Sequence, residues 1–247
     1  MRHLLAIEGS TGSASLAVVR GDATLLCELT FVAQRTMARR LVPLLDTMLR
    51  SVDLAPDAID AVAVGLGPGS FTSLRVALAT VKGIALGAPE PLPMLGVGSL
   101  EVLAAGAPLG VRRPVCAVIA APKRSVYAAV YARVNEELTN CLFGPALLET
   151  NELADRLAAI GQEVVVVGPT SPADRELLAA AGASFLPAVH DVPRAAVLAH
   201  LALSRMKAGE QHDPATLTPL YIHPSEPEVK LGQTFARSGG PDDAGTA

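Results

Sequence analysis

The sequence predicts an α/β protein in two lobes, each a mixed sheet flanked by helices. Three observations lead there. Strand-like and helical segments alternate along the chain, joined by short polar turns. Half of the 247 residues are hydrophobic but only 3% are aromatic, with no Trp. The core must then be built from Ala, Val, Leu and Ile, which suits helices packed on a buried sheet. Finally, a Gly/Pro-rich junction, Gly106 to Pro114, separates two such sets.

In the first set, the apolar runs Leu4 to Ile7, Ala14 to Val19 and Thr24 to Thr30 read as strands joined by tight turns. The turn Glu8-Gly9-Ser10-Thr11-Gly12-Ser13 therefore lies at a strand end, where backbone N–H groups can meet a ligand. Residues Thr36 to Val52 read as a helix, because Met37, Leu41, Leu44, Met48 and Val52 recur at spacings of three and four. Val42, Leu45 and Leu49 add a second stripe, wider than one sheet requires. Pro43 either bends this helix or marks its start. A strand from Asp60 to Leu66 leads through a glycine loop into a helix from Thr72 to Leu86, stopped by Gly87. A strand at Met94 to Val97 and a short helix at Ser99 to Ala105 complete the lobe, taken as residues 1–106.

The second lobe, residues 107–222, starts with strands Val115 to Ala120 and Val126 to Tyr131. A helix from Glu152 to Ile160, capped by Asn151, precedes the β-branched strand Val164 to Val167. The helix Ala173 to Ala181 then runs into Ser184-Phe185-Leu186. Pro193 opens an amphipathic helix to Lys207, which can pack back on the first lobe. From His223 onward Pro, Glu, Gly and Asp dominate, so 223–247 is expected to be disordered. No internal repeat is legible.

Composition narrows the function. With a net charge of −4 and no basic tract, autonomous binding to a nucleic-acid backbone is not indicated. Cys27, Cys116 and Cys141 have neither metal-ligand spacing nor an even count for disulfides, so they read as free thiols of a reducing compartment. No signal-peptide core follows Met1-Arg2-His3, and every long apolar run is broken by Gly, Pro or charge. A cytoplasmic protein with no membrane span is the expectation.

The strongest local motif is Gly65-Leu66-Gly67-Pro68-Gly69-Ser70-Phe71-Thr72, at a strand-to-helix junction. Glycines let the backbone turn sharply and aim N–H groups from the positive end of a helix, which makes an anion site. A Walker loop is excluded, because the Gly-Lys-Ser/Thr ending is absent. The competing reading is a tight turn in which Ser70 or Thr72 caps the helix. Arg75 opposes the macrodipole in the first helical turn, so an anionic partner or a nearby carboxylate would compensate it. Ala79, Gly83 and Gly87 stand four apart and permit close approach of another backbone. Catalytic signatures are thin: there is no His-x-x-x-His pair and no Gly-x-Ser-x-Gly elbow. His190-Asp191 reads as a loop feature and Lys123-Arg124 as a solvated turn.

Several segments together resemble the bacterial TsaB (YeaZ) family of tRNA threonylcarbamoyladenosine biosynthesis. They are Leu5-Ala6-Ile7-Glu8-Gly9-Ser10-Thr11, Leu41-Val42-Pro43-Leu44-Leu45, Gly67-Pro68-Gly69-Ser70-Phe71-Thr72-Ser73-Leu74-Arg75, Gly83 to Gly87, Leu95 to Leu100 and Pro219-Leu220-Tyr221-Ile222. The resemblance implies the two-lobed actin-like (ASKHA, RNase H-like) fold. It also implies a non-catalytic scaffold subunit for a TsaD-type transferase, which modifies the adenosine beside the anticodon of tRNA. A TsaE-like ATPase joins that complex, and the lone chain forms a homodimer through the same helices. ATP and Mg enter only through the complex, tRNA is met indirectly, and no metal belongs to this chain. The partner-binding residues so implied are Arg39, Leu41, Leu45 and Met48 on one helix, with Leu74, Arg75, Leu78, Ala79 and Lys82 on the other.

Glu8, Ser10 and Thr11, with Gly67, Gly69, Ser70 and Thr72, form the candidate anion or nucleotide loop. A rival reading makes the chain a phosphotransferase or ATPase that uses this loop around Mg–nucleotide. A glycoprotease-like peptidase is a remote third. Three departures from the family pattern bear on the choice. Glu8 stands where Asp is usual, Thr36-Met37-Ala38-Arg39 replaces a His-containing stretch, and Ala120-Ala121-Pro122 replaces Asp-Ala-Arg. The first and third weaken nucleotide binding and leave the partner-helix reading untouched.

Overall fold

The computed structural model describes residues 2–108, 110–122, 125–134 and 137–222. The Lys123-Arg124 turn and the 223–247 tail lie outside them. Within the first lobe, β1 (His3–Glu8), β2 (Ser13–Arg20) and β3 (Leu25–Val32) form an antiparallel meander. After α1 (Met37–Ser51), β4 (Ala61–Gly65) pairs parallel with β1. After α2 (Phe71–Gly87), β5 (Met94–Val97) pairs parallel with β4. The sheet order is β3-β2-β1-β4-β5.

Helix α3 (Ser99–Ala105) then leads into the second lobe. There β6 (Val115–Ala120), β7 (Ser125–Val134) and β8 (Glu137–Glu149) form the meander, and α4 (Thr150–Ala159) follows. Strands β9 (Val165–Val167) and β10 (Ser184–Phe185), separated by α5 (Pro172–Ala180), add in parallel. The order β10-β9-β6-β7-β8 repeats that of the first sheet. The chain thus has the two-lobed actin-like fold. Its repeat is topological, and one short sequence echo accompanies it. Gly67-Pro68-Gly69-Ser70 follows β4, Gly168-Pro169-Thr170-Ser171 follows β9, and both first glycines have positive φ.

Alternation along each strand feeds two faces. On β1, Leu5 and Ile7 join the core beneath α1 and α2, while Leu4 and Ala6 join the core beneath α6 (Ala195–Lys207). The second sheet is likewise covered by α4 and α5 on one face and by α3 on the other. The last helix of each sequence half therefore packs on the opposite sheet. A cut at residue 106 divides the chain but not the packing.

Helix α6 begins at Ala195 rather than Pro193, because Arg194 is its extended N-cap residue. Its first amides are satisfied by the first lobe. Ala196 N–H donates to the Glu28 carboxylate at 3.0 Å and Ala195 N–H to Ser15 Oγ at 3.0 Å. Ser15 Oγ also donates to Glu28, whose side chain is only 5% exposed and pairs with Arg194. An anion at a helix N-terminus is doubly favourable, capping orphan donors and answering the macrodipole.

Strand β8 is the element that the sequence conceals, since Asn140, Gly144 and Pro145 read as breakers. It forms the edge of its sheet, where Pro is tolerated because no neighbour needs its N–H. At Gly144 (φ 86°) the chain presses on β7, and a Cβ there would lie 2.5 Å from the Ala128 carbonyl oxygen.

Removing the Glu28 carboxylate leaves two helix amides and Arg194 without their acceptor. Glu28→Ala is expected to lower unfolding free energy by about 2–4 kcal/mol, and Ser15→Ala by about 1 kcal/mol. Denaturant titration checks this; equal small losses would mean that α6 is held by apolar packing alone.

Candidate functional site: a closed loop and an open helix face

The glycine loop is built around Glu8. This side chain ends β1 and is 1% exposed. Oε1 accepts the Ser10 N–H at 2.7 Å, and Oε2 accepts the Ser99 hydroxyl at 2.9 Å. Ser99 Oγ in turn accepts the Gly67 N–H at 3.0 Å, so one carboxylate ties β1, the glycine loop and the start of α3 together. Burial pushes the Glu8 carboxyl above its ordinary value of 4.5, against the hydrogen bonds from Ser10 and Ser99. Gly65 makes room for it, since a Cβ there would sit 1.8 Å from Oε2.

Three loop amides are used internally. Besides Gly67, the Ser70 N–H donates to the Ser10 carbonyl at 2.7 Å and the Leu66 N–H to the Val97 carbonyl at 2.9 Å. Gly69 allows that closure, because a Cβ would meet Ser10 O at 2.1 Å. Ser70 occupies the N-cap position of α2, yet its hydroxyl donates to Ser73 Oγ at 3.1 Å and caps no amide. Thr72 is exposed, and Thr11 bridges within its own turn, its Oγ1 donating to the Ser13 carbonyl. The residues expected to form the loop are thus brought together, bonded mainly to one another.

Arg75 is answered by π-systems rather than by a carboxylate. Its guanidinium lies 3.8 Å from the Phe71 ring centroid, and Nε donates to Tyr221 Oη at 3.1 Å. Phe71 and Tyr221 are themselves 5.6 Å apart. Tyr221 arrives on a segment that runs back from α6. His212 N–H donates to the Met94 carbonyl and Leu220 N–H to the Leu66 carbonyl, each at 2.8 Å.

The two helices correct the partner-binding assignment. Leu41, Leu45 and Met48 of α1, with Leu74 and Leu78 of α2, are at most 7% exposed and lie inside the chain. Both α1 stripes are needed because α2 and β3, as well as the sheet, pack against that helix. Arg39, Arg75 and Ala79 are exposed and Lys82 is half-buried. The open surface of α2 is Thr72, Arg75, Ala79, Gly83, Leu86 and Gly87; Leu86 is 57% exposed and a Cβ at Gly83 would touch nothing. Sequence reasoning missed Gly65, Ser99 and Tyr221 as site residues. Their signals were a third glycine before the loop, a Gly-Ser opening a helix after β5, and an aromatic in a polar segment.

A family model described as TsaD, tRNA N6-adenosine threonylcarbamoyltransferase, matches residues 31–226. Over 198 residues the chain is 32% identical to the tRNA threonylcarbamoyladenosine biosynthesis protein TsaB of Escherichia coli, spanning 77% of this chain and 84% of that protein. The chain belongs to the TsaB (YeaZ) family. A TsaB of Haemophilus influenzae is 37% identical over 134 residues, or 54% of this chain and half of that protein. YeaZ from Pseudomonas aeruginosa superposes with a TM-score of 0.71 at 26% identity, covering 90% of this chain and 100% of that one. Within this TsaB-family chain, the matched range 31–226 includes α1, α2 and the Gly67–Thr72 loop and omits Glu8. Among the described residues no helix is long and apolar enough to cross a membrane, and no cluster of His, Cys, Asp and Glu could hold a metal.

Because burial raises the Glu8 pKa, the folded state holds that proton to higher pH than the unfolded chain. The carboxyl therefore costs stability as pH rises above about 4.5, and the cost stops growing above the folded pKa. Each unit of raised pKa corresponds to about 1.4 kcal/mol. Glu8→Gln should gain on the native protein between pH 5 and pH 8 in denaturant midpoints, and parallel pH profiles would refute a buried protonated carboxyl.

Proposed function

We propose that this chain is the non-catalytic partner subunit of a TsaD-type transferase in forming threonylcarbamoyladenosine in tRNA. The observation that carries this reading is the contrast between the loop and the helix beside it. The loop's carboxylate, hydroxyl and amides bond to one another, while α2 leaves a face of small residues open. A backbone can approach such a face closely, and packing a helix there buries area without displacing large side chains. The E. coli and H. influenzae relatives are named for the same biosynthesis, which supports the pathway. The 44% identity over 77 residues to a Nitratidesulfovibrio vulgaris threonylcarbamoyltransferase supports descent from a common ancestor with the transferase.

In this reading the contact is made by Arg39 of α1 with Arg75, Ala79 and Lys82 of α2, around Gly83 and Leu86. The buried leucines behind them hold the two helices in place. A TsaE-like ATPase joins the assembled pair in the cytoplasm, ATP and Mg act through the complex, and tRNA is met through the transferase. Alone, the chain associates with itself through the same face.

Threonylcarbamoyladenosine synthesis reconstituted with the cognate transferase, ATPase and adenylate-forming enzyme should require this chain; full activity without it would sink the proposal. Ala79→Arg should abolish the complex while leaving the melting temperature within a few degrees. Leu41→Asp should instead cost more than about 3 kcal/mol of folding stability, since it places a carboxylate in the core. Complex formation surviving Ala79→Arg would move the contact elsewhere.

A further inference from the structure

The exposed helices carry a charge bias that the rest of the chain does not share. Helices α1 and α2 hold Arg39, Arg40, Arg50, Arg75 and Lys82 against one carboxylate, Asp46. The whole chain is at −4. Two of the five cations are engaged within the lobe: Arg50 pairs with Asp46 at 3.0 Å, and Arg40 donates to the Val32 carbonyl over the Phe31 ring. Among the described residues no carboxylate pairs with Arg39, Arg75 or Lys82. Arg75 is moreover pre-oriented, flat on Phe71 with Nε fixed by Tyr221, so its terminal nitrogens are already aimed before any partner arrives. A stacked guanidinium loses little freedom on pairing and presents a fork that fits a carboxylate.

We propose that Arg75 and Lys82, with Arg39 on α1, select a heterologous helical partner bearing carboxylates and disfavour a second copy of this chain. The proposal rests on α2 being the partner face. A two-fold interface sets a surface against itself. With Ala79 at the axis, antiparallel copies of α2 bring Arg75 of one copy toward Lys82 of the other. Like charges are then opposed at the centre of the contact, where such juxtaposition is most costly. A partner with acidic residues one helical turn either side of its own contact point removes that cost. RNA fits less well, because three unpaired cations on a chain of net negative charge make few phosphate contacts. The small-residue stripe between Arg75 and Leu86 also calls for a closely packed backbone.

The test is the double charge reversal Arg75→Glu with Lys82→Glu in the full chain, with a matched melting temperature as proof of folding. Association with the transferase should slow about tenfold or more at low ionic strength and lose most of its salt dependence. Self-association by sedimentation should stay the same or strengthen. Unchanged association and salt dependence would overturn the proposal, as would an equal weakening of self-association. A loss confined to tRNA retention by the intact protein complex would assign the cations to RNA and also overturn it. Ala79→Arg separates the two levels. If it breaks the complex while charge reversal does not, the face stands and the electrostatic selection falls; if neither has an effect, both fall.

Discussion

Glu8 is where the first lobe is tied together. A carboxyl at the end of a central strand, 1% exposed, must be hydrogen-bonded or neutral, and here it is both bonded and pushed toward neutrality by burial. Its two oxygens reach Ser10 in the next turn and Ser99 at the start of α3, and Ser99 passes the link on to Gly67. The glycine loop is thereby fixed from three directions, and α2 leaves it at a set angle. Everything on the open side of α2 inherits that angle, including the aromatic clamp on Arg75. The same network fills the strand ends with protein groups, in a place where actin-like folds leave donors free for phosphate.

The second constraint is the exchange of helices between sheets. Because α3 covers the second sheet and α6 the first, neither lobe completes its core from its own half of the sequence. The ion pair between Glu101 of α3 and Arg205 of α6 joins the two exchanged helices directly. Burial raises the Glu101 carboxyl while Arg205 pulls it down, so the pair is partly desolvated and costly to leave half-made. The lobes are therefore coupled through apolar packing and one charge pair.

Much of this was legible in the sequence because it is local. Alternation fixed the strands of both meanders, the 3.6-residue period fixed α1, and Gly87 marked the end of α2. What escaped depends on residues far apart. The Glu8–Ser99 bond spans 91 positions, and the Arg75–Tyr221 bond spans 146. The double stripe of α1 was legible as a stripe but not as core, because periodicity counts apolar faces and cannot tell how many neighbours will cover them. Strand β8 was hidden by residues that usually end strands and are tolerated at an edge. The repeated topology was hidden because only a Gly-Pro-x-Ser echo survives where both chains turn from strand into helix.

That repetition provides an internal control for the central claim, that α1 and α2 form the partner face. Helices α4 and α5 occupy the equivalent place on the second sheet. Hydrogen exchange of the full chain, alone and mixed with the cognate transferase, reads both surfaces at once. The account predicts slowed exchange across residues 37–51 and 71–87 and no change across 150–180. Protection confined to the second lobe, or none in either, would contradict it.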